Sequence, residues 1–278
     1  MQVKGKGIVV AVAGAALTMV LAGCGGGESD RGGASRGKNE ADGRRTDARA
    51  VLMAAAKKTG KQTSYKTVQT GEGGSDRSEM LFQKEPAATV IKAWGKKSPI
   101  NPSGFHHMIF LGGATYVKSD KVPGKSWYTM DLGGDSDSGD SSDSRAAGYI
   151  REFAGALAAT ESTKWVGEEK VGGHPADHYR GTVVLDELAK YSGPAIKKDV
   201  RDYYVELAKK QGMNSVVIDM WVGKDDLVLK SQESGKGKKG QEVLVEEYSD
   251  FGAVPKITAP PAKTVVSWDE FIAGKAKA

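Results

Sequence analysis

One cysteine in 278 residues, Cys24, is the sharpest shortage in this chain. A lone cysteine excludes an intrachain disulfide framework and every cysteine-rich zinc site. Four histidines leave little for a histidine-built metal centre. No apolar run reaches the roughly 20 residues that a membrane-spanning helix needs. The mean hydropathy of −0.42 is too low for a polytopic membrane protein. Charge of one sign is scarce too: 40 Lys and Arg against 35 Asp and Glu leave only +5. The concentrated basic patch of a nucleic-acid binder is missing, so no nucleic-acid partner is expected. The 39% of hydrophobic residues still suffice for a folded core.

The N-terminus is specific. Lys4 and Lys6 precede an apolar run from Ile8 to Leu21, which ends in Leu21-Ala22-Gly23-Cys24. A basic start, a short apolar run and small residues before a cut site describe an export signal. The Leu-Ala-Gly-Cys string resembles the bacterial lipobox. That resemblance implies a signal peptide over residues 1–23 and a diacylglyceryl group on the sulfur of Cys24. The implied location is the extracytoplasmic face of the cell membrane, held by palmitate-like chains. Two acyl chains anchor firmly where one is marginal. Loss of Lys4 and Lys6 with the signal lowers the formal charge from +5 to +3. Residues 24–46 carry no apolar side chain larger than alanine beyond Cys24 and read as a flexible tether. Residues 47–278 read as a single domain.

Asp47 caps an Ala-rich helix to Lys58, with lysines in its last turn. Short β-branched or aromatic runs follow at 62–70, 78–84, 87–94, 106–111, 115–118 and 126–132. Gly112-Gly113 marks a tight hairpin. GGDSDSGDSSDS (133–144) is an acidic low-complexity loop. A second helix spans 145–160. Strands at 163–171 and 176–185 flank the Gly172-Gly173 turn. A short helix spans 186–191 and a longer one 194–210. Strands at 214–222, 227–231 and 241–249 follow, with SGKGKKG (234–240) as the last turn. Proline-rich sequence leads to a short helix near 268–272. Sequential hairpins predict an antiparallel meander in an α+β domain.

Catalytic and metal patterns fail. No Gly-x-Ser-x-Gly elbow is present. His106 and His107 are adjacent in a strand and point to opposite faces. His174 and His178 flank Pro175 after a glycine turn, so they read as a hairpin pair and not as helical metal ligands. The acidic loop misses the calcium-loop pattern at its fifth, sixth and twelfth positions. No phosphate loop occurs. The lysines of SGKGKKG could meet anionic headgroups or glycopolymer phosphates, though a solvated hairpin tip is the plainer reading. The expectation is no enzyme, no metal and no cofactor.

What remains is apolar surface. Helix stripes run along Tyr149, Phe153 and Leu157, with Ile150 beside them, and along Ile196, Val200, Tyr203/Tyr204 and Leu207. Met53, Met80, Met108, Met213 and Met220 suit adaptable walls. A filled core and an apolar cavity between sheet and helices are both open on periodicity alone.

Four strings carry a family resemblance: GGATYVKSDKVPGKSWYTMDL (112–132), KWVGEEKVGGHPADHYRGTVVLDEL (164–188), IDMWVGKDDLVLK (218–230) and YSDFGAVPKITAPPA (248–262). In order and spacing they resemble actinobacterial lipoproteins of the LppX/LprG type, related to the LolA/LolB lipoprotein carriers. The resemblance implies a curved antiparallel half-barrel whose concave face is covered by helices. It also implies a cavity for lipids or lipidated molecules and a carrier role. The candidate lining residues are Met108, Phe110, Tyr149, Ile150, Phe153, Leu157, Val200, Tyr203 and Leu207. The chain departs from the family where its acidic loop stands in place of Leu-rich helix sequence. The second reading is an envelope sensor or scaffold that binds a protein partner and has a filled core.

Overall fold

The computed structural model describes residues 47–71, 77–95, 97, 103–119, 125–130, 150 and 153–275. The expected signal peptide, tether, acidic loop and Tyr149 lie outside these residues. Five helices are described: α1 (Ala48–Thr59), α2 (residues 150 and 153–159), α3 (Leu185–Leu188), α4 (Lys198–Lys210) and α5 (Trp268–Lys275). The first meander holds β1 (Ser64–Gly71), β2 (Arg77–Gln83), β3 (Ala88–Trp94), β4 (Phe105–Leu111), β5 (Ala114–Lys118) and β6 (Trp127–Met130). The second holds β7 (Lys164–Val171), β8 (His174–Val184), β9 (Ser215–Gly223), β10 (Val228–Gly237) and β11 (Gly240–Ser249). A short β12 (Val265–Ser267) follows.

All 12 strands form one unclosed sheet in the order β12-β6-β5-β4-β3-β2-β1-β11-β10-β9-β8-β7. Each meander is locally hydrogen-bonded, and the long-range β1–β11 pair fuses them (Thr67 opposite Tyr248). The expected α+β half-barrel is therefore the fold that forms. Local chemistry explains its joints. Asp47 caps α1 by accepting from the Ala50 N–H at 3.0 Å. Gly112 and Gly113 turn β4 into β5 with φ of 59° and 78°, which glycine adopts without Cβ cost.

Three expectations need correction. SGKGKKG is not all turn: Ser234–Gly237 continues β10, and only Lys238 and Lys239 bridge to β11. Gly235 is there because a Cβ would lie 2.8 Å from Met213 Sδ. The Pro-rich tail does more than lead out. Ile257 packs against Ala88, Val90 and Ile109 on the convex face, and β12 then pairs parallel with β6. The helix expected from Pro194 begins only at Lys198.

The main core lies between the concave face of the β11–β7 half and helices α1, α2 and α4. It joins Leu52, Phe153, Leu157, Tyr179, Ile218, Met220 and Tyr204. Gly181 allows α2 to approach β8, since a Cβ there would lie 2.7 Å from Thr163 Oγ1 and 3.0 Å from Leu157 Cδ2. Gly181→Val is expected to overpack this contact and cost about 1–3 kcal/mol. Urea unfolding measures this, and an unchanged midpoint would show that α2 does not rest on β8.

Candidate functional site: a half-covered apolar trough

Strand register fixes which side chains share the concave face, because alternate residues point the same way. Tyr65 and Phe82 belong to the helix-packed core, so their row is concave. That row continues across the first meander as Tyr65, Phe82, Thr89, Phe110, Thr115 and Met130. The neighbouring row on the same face is Thr67, Met80, Ile91, Met108, Val117 and Tyr128, and it ends on Val266 of β12. A third row runs Gln69, Ser78, Ala93 and His106.

The two halves of this face differ. Toward β11–β7 the helices close it. Toward β2–β6, Ile91, Met108, Phe110, Val117 and Met130 belong to neither buried cluster and stay partly exposed. The result is an apolar trough across five strands, spanning roughly 19 Å at the usual strand spacing. At its β6 edge Phe271 of α5 stacks on Tyr128, with ring centroids 4.1 Å apart. Ser267 and Glu270 form the capping box that starts α5 there: Glu270 N–H donates to Ser267 Oγ at 3.2 Å, and Ser267 N–H to Glu270 Oε2 at 2.9 Å. The third row is the polar margin. With Gly71, Arg77, Trp94, Gly95 and Leu244 it lines an open cleft of about 280 Å³. Ser78 Oγ donates to Gln69 Oε1 at 3.3 Å, Gln69 Nε2 to Glu246 Oε1 at 3.3 Å, and the Tyr248 hydroxyl to Glu246 Oε2 at 2.6 Å. Burial, with the Glu246 charge beside it, pushes the Tyr248 hydroxyl well above its usual pKa, so it stays a donor. On the trough floor the buried Thr89 hydroxyl has no hydrogen-bond partner among the described residues. A larger cleft of about 480 Å³ lies elsewhere, at the end of α2, walled by Thr160, Glu161, Ser162, Thr182 and Glu187. Ala159, Val183, Val184 and Leu188 share its walls with these polar side chains.

The structure brings Met108 and Phe110 into the trough. Ile150, Phe153 and Leu157 sit instead in the filled core, at 1%, 2% and 0% exposure. None of the three lines either cleft. Val200 is partly buried against the core. Tyr203 and Leu207 point outward, at 62% and 38% exposure. The inward face of α4 is Arg201, Tyr204, Val205 and Ala208. Ile91, Val117 and Met130, with Met80 at the core border, are trough residues that helix stripes could not reveal. Strand alternation across the meander is the signal that finds them.

The convex face holds a second constellation. His178 Nε2 lies 2.6 Å from Asp219 Oδ1, and Nδ1 lies 2.9 Å from Glu169 Oε1. The ring stacks on Trp221 at 4.3 Å and 13°. Trp221 Nε1–H donates to Glu169 Oε2 at 2.9 Å. Both imidazole nitrogens face carboxylate oxygens, an arrangement that favours the imidazolium, which can donate on both sides. Burial opposes that charge and is the largest single effect. The hydrogen bonds and charges of Asp219 and Glu169 together outweigh it and raise the His178 pKa.

No family model matches the chain. A curated relative, an uncharacterised 31.2 kDa protein of Streptomyces griseus encoded between rplA and rplJ, is 33% identical over 117 residues. The match covers 42% of this chain and 38% of that protein, so the chain spans less than half of its relative's length. Among solved structures the chain is similar to LprF from Mycobacterium bovis, with 13% identity and a TM-score of 0.49 over 78% of this chain and 98% of that one. It is also similar to the Mycobacterium tuberculosis lipoprotein LppX, with 11% identity and a TM-score of 0.48 over 76% and 97%. LppX is itself a lipoprotein of the LppX/LprG type that the four sequence strings resemble.

Proposed function

We propose that this protein is an extracytoplasmic lipoprotein, anchored through a diacylglyceryl group on Cys24, that binds and carries lipids or lipidated molecules. The observation that carries the reading is the unbroken apolar row Met80, Ile91, Met108 and Val117, left half-open on a concave sheet. Each methylene moved from water onto such a surface contributes about 0.8 kcal/mol. An acyl chain laid across the strands therefore gains enough to be held without any polar contact. The polar margin of Gln69, Ser78 and His106 is then the place for the ligand's wetter end. Methionine walls adapt to chains of differing shape.

The test is native mass spectrometry of the full chain purified from its own envelope. The wild type is expected to carry lipid-mass adducts. Met108→Arg and Ile91→Arg place a charge on the partly exposed trough floor and are expected to cut adduct occupancy at least fivefold with little change in unfolding midpoint. A lipid-free wild type would sink the reading and favour a protein-binding envelope module. So would unchanged adducts in both variants.

A further inference from the structure

The α4 helix is apolar on two faces. Its inner face holds Tyr204, Val205 and Ala208, while Val200, Tyr203 and Leu207 form a second stripe that leaves Tyr203 and Leu207 in solvent. The tip of the β10–β11 hairpin is docked at the C-terminal end of this stripe. Lys238 N–H donates to Gln211 O at 2.7 Å. Gly212, at φ +89°, meets the Lys238 side chain so closely that a Cβ would lie 2.5 Å from its Cγ. This contact brings exposed Lys236, Lys238 and Lys239 beside the helix end.

The charges there are uneven. On the helix, Lys198 pairs with Asp202 at 2.6 Å and Lys210 with Glu206 at 2.6 Å, and Lys209 pairs with Asp186 of α3 at 2.5 Å. Among the described residues no carboxylate pairs with Lys197, Lys236, Lys238 or Lys239. Asp199 on the helix and Glu242 on β11 are likewise without an ion-pair partner among the described residues, so the surplus of positive charge is concentrated in the three lysines of the hairpin tip, at the C-terminal end of the stripe. A protein interface would more commonly be depleted of lysine at its centre. Lysines that rim an exposed aromatic and a leucine on an amphipathic helix match the boundary between headgroups and acyl chains.

We infer that the outer stripe of α4 and the lysine tip of the β10–β11 hairpin form a docking surface for an anionic lipid bilayer. Tyr203 and Leu207 enter the interface, and Lys236, Lys238 and Lys239 meet the headgroup charge. This contact is separate from the acyl anchor and needs no cargo in the trough. It would set the orientation of the domain on the membrane surface.

The full chain with Cys24→Ser and Tyr203→Cys, labelled at the new thiol with an environment-sensitive NBD dye, tests this. A second chain carries the label at Val166→Cys, exposed on the β7 edge of the sheet. Vesicles of phosphatidylcholine alone are compared with an equal mixture of phosphatidylcholine and phosphatidylglycerol. The expected result is a blue shift and a several-fold rise at position 203 on the anionic vesicles only, lost at about 0.5 M salt. Position 166 is expected to stay unchanged. Each lysine near an anionic surface favours binding about fivefold, so Lys236→Glu, Lys238→Glu and Lys239→Glu together are expected to weaken it at least a hundredfold. The proposal fails if position 203 stays dark on anionic vesicles, or if neutral vesicles serve as well. It also fails if position 166 responds equally, which would mean adsorption through the N-terminal apolar run, or if the triple reversal binds like the wild type.

Discussion

Replacing His178 by alanine is expected to cost about 3–5 kcal/mol, the range seen when one partner of a buried ion pair is removed. The side chain of Asp219 is 3% exposed, and its Oδ2 already lacks a partner among the described residues. Without the imidazolium, Oδ1 keeps only Arg180 Nε at 3.6 Å, beyond hydrogen-bond length. Glu169 is half-exposed and suffers less, since water screens it. Replacing both His178 and Asp219 by leucine removes the stranded charge and is expected to recover most of the loss. The pH profile gives an independent signature. The His178 pKa is raised on folding, so its contribution is fully present below the unfolded value of about 6.5 and fades as pH rises through the folded value. Wild-type stability should therefore fall from about pH 6.5 upward, and the double leucine variant should lose that slope. Urea midpoints across this range check both points. A loss under about 1 kcal/mol with an unchanged pH slope would mean that the carboxylates do not grip the ring.

This constellation was illegible in the sequence for a simple reason. Glu169, His178, Asp219 and Trp221 come from three strands, and only register brings them together: His178 lies opposite Trp221 and Gly167. The sequence places His178 correctly in a strand and then has nothing further to say. Local signals did better. The paired-glycine turns, the Asp47 cap and the alternating strands were readable because each depends on neighbours within a few residues. The parallel β12–β6 pair was not, since three residues of strand carry little pattern and their partner lies more than a hundred positions away.

The α4 stripe shows a different limit. Periodicity finds apolar residues on a helix but does not say which arc meets the sheet. Val200, Tyr203 and Leu207 make as good a stripe as Tyr204, Val205 and Ala208. The second set turns inward, together with Arg201. That buried guanidinium is accommodated because it donates to Tyr191 O and pairs with Asp202. A charged residue on the inner arc made the outer stripe look like the buried one.

Leu157→Ala is expected to separate the two halves of the concave face. Leu157 is fully buried in α2 and faces Gly181, whose backbone has no side chain to move into a void. The surrounding wall also includes Tyr179 and Val183, both fixed in β8. Little collapse is available, so the cost should approach the upper part of the usual range, about 3–5 kcal/mol. Phe153→Ala belongs with it, for that ring meets Tyr204 edge-on at 6.2 Å and 76°. Its loss should also cost about 3–5 kcal/mol. Were these side chains walls of a ligand cavity, truncation would change lipid occupancy and cost little in the lipid-free chain. As core, they should do the reverse: a large fall in urea midpoint with lipid per folded chain unchanged. Met108→Arg should show the opposite split, with occupancy lost and stability kept. Measuring both quantities on both classes of variant locates the ligand. If Leu157→Ala keeps stability and alters loading, the acyl site lies under α2 and not in the β2–β6 trough.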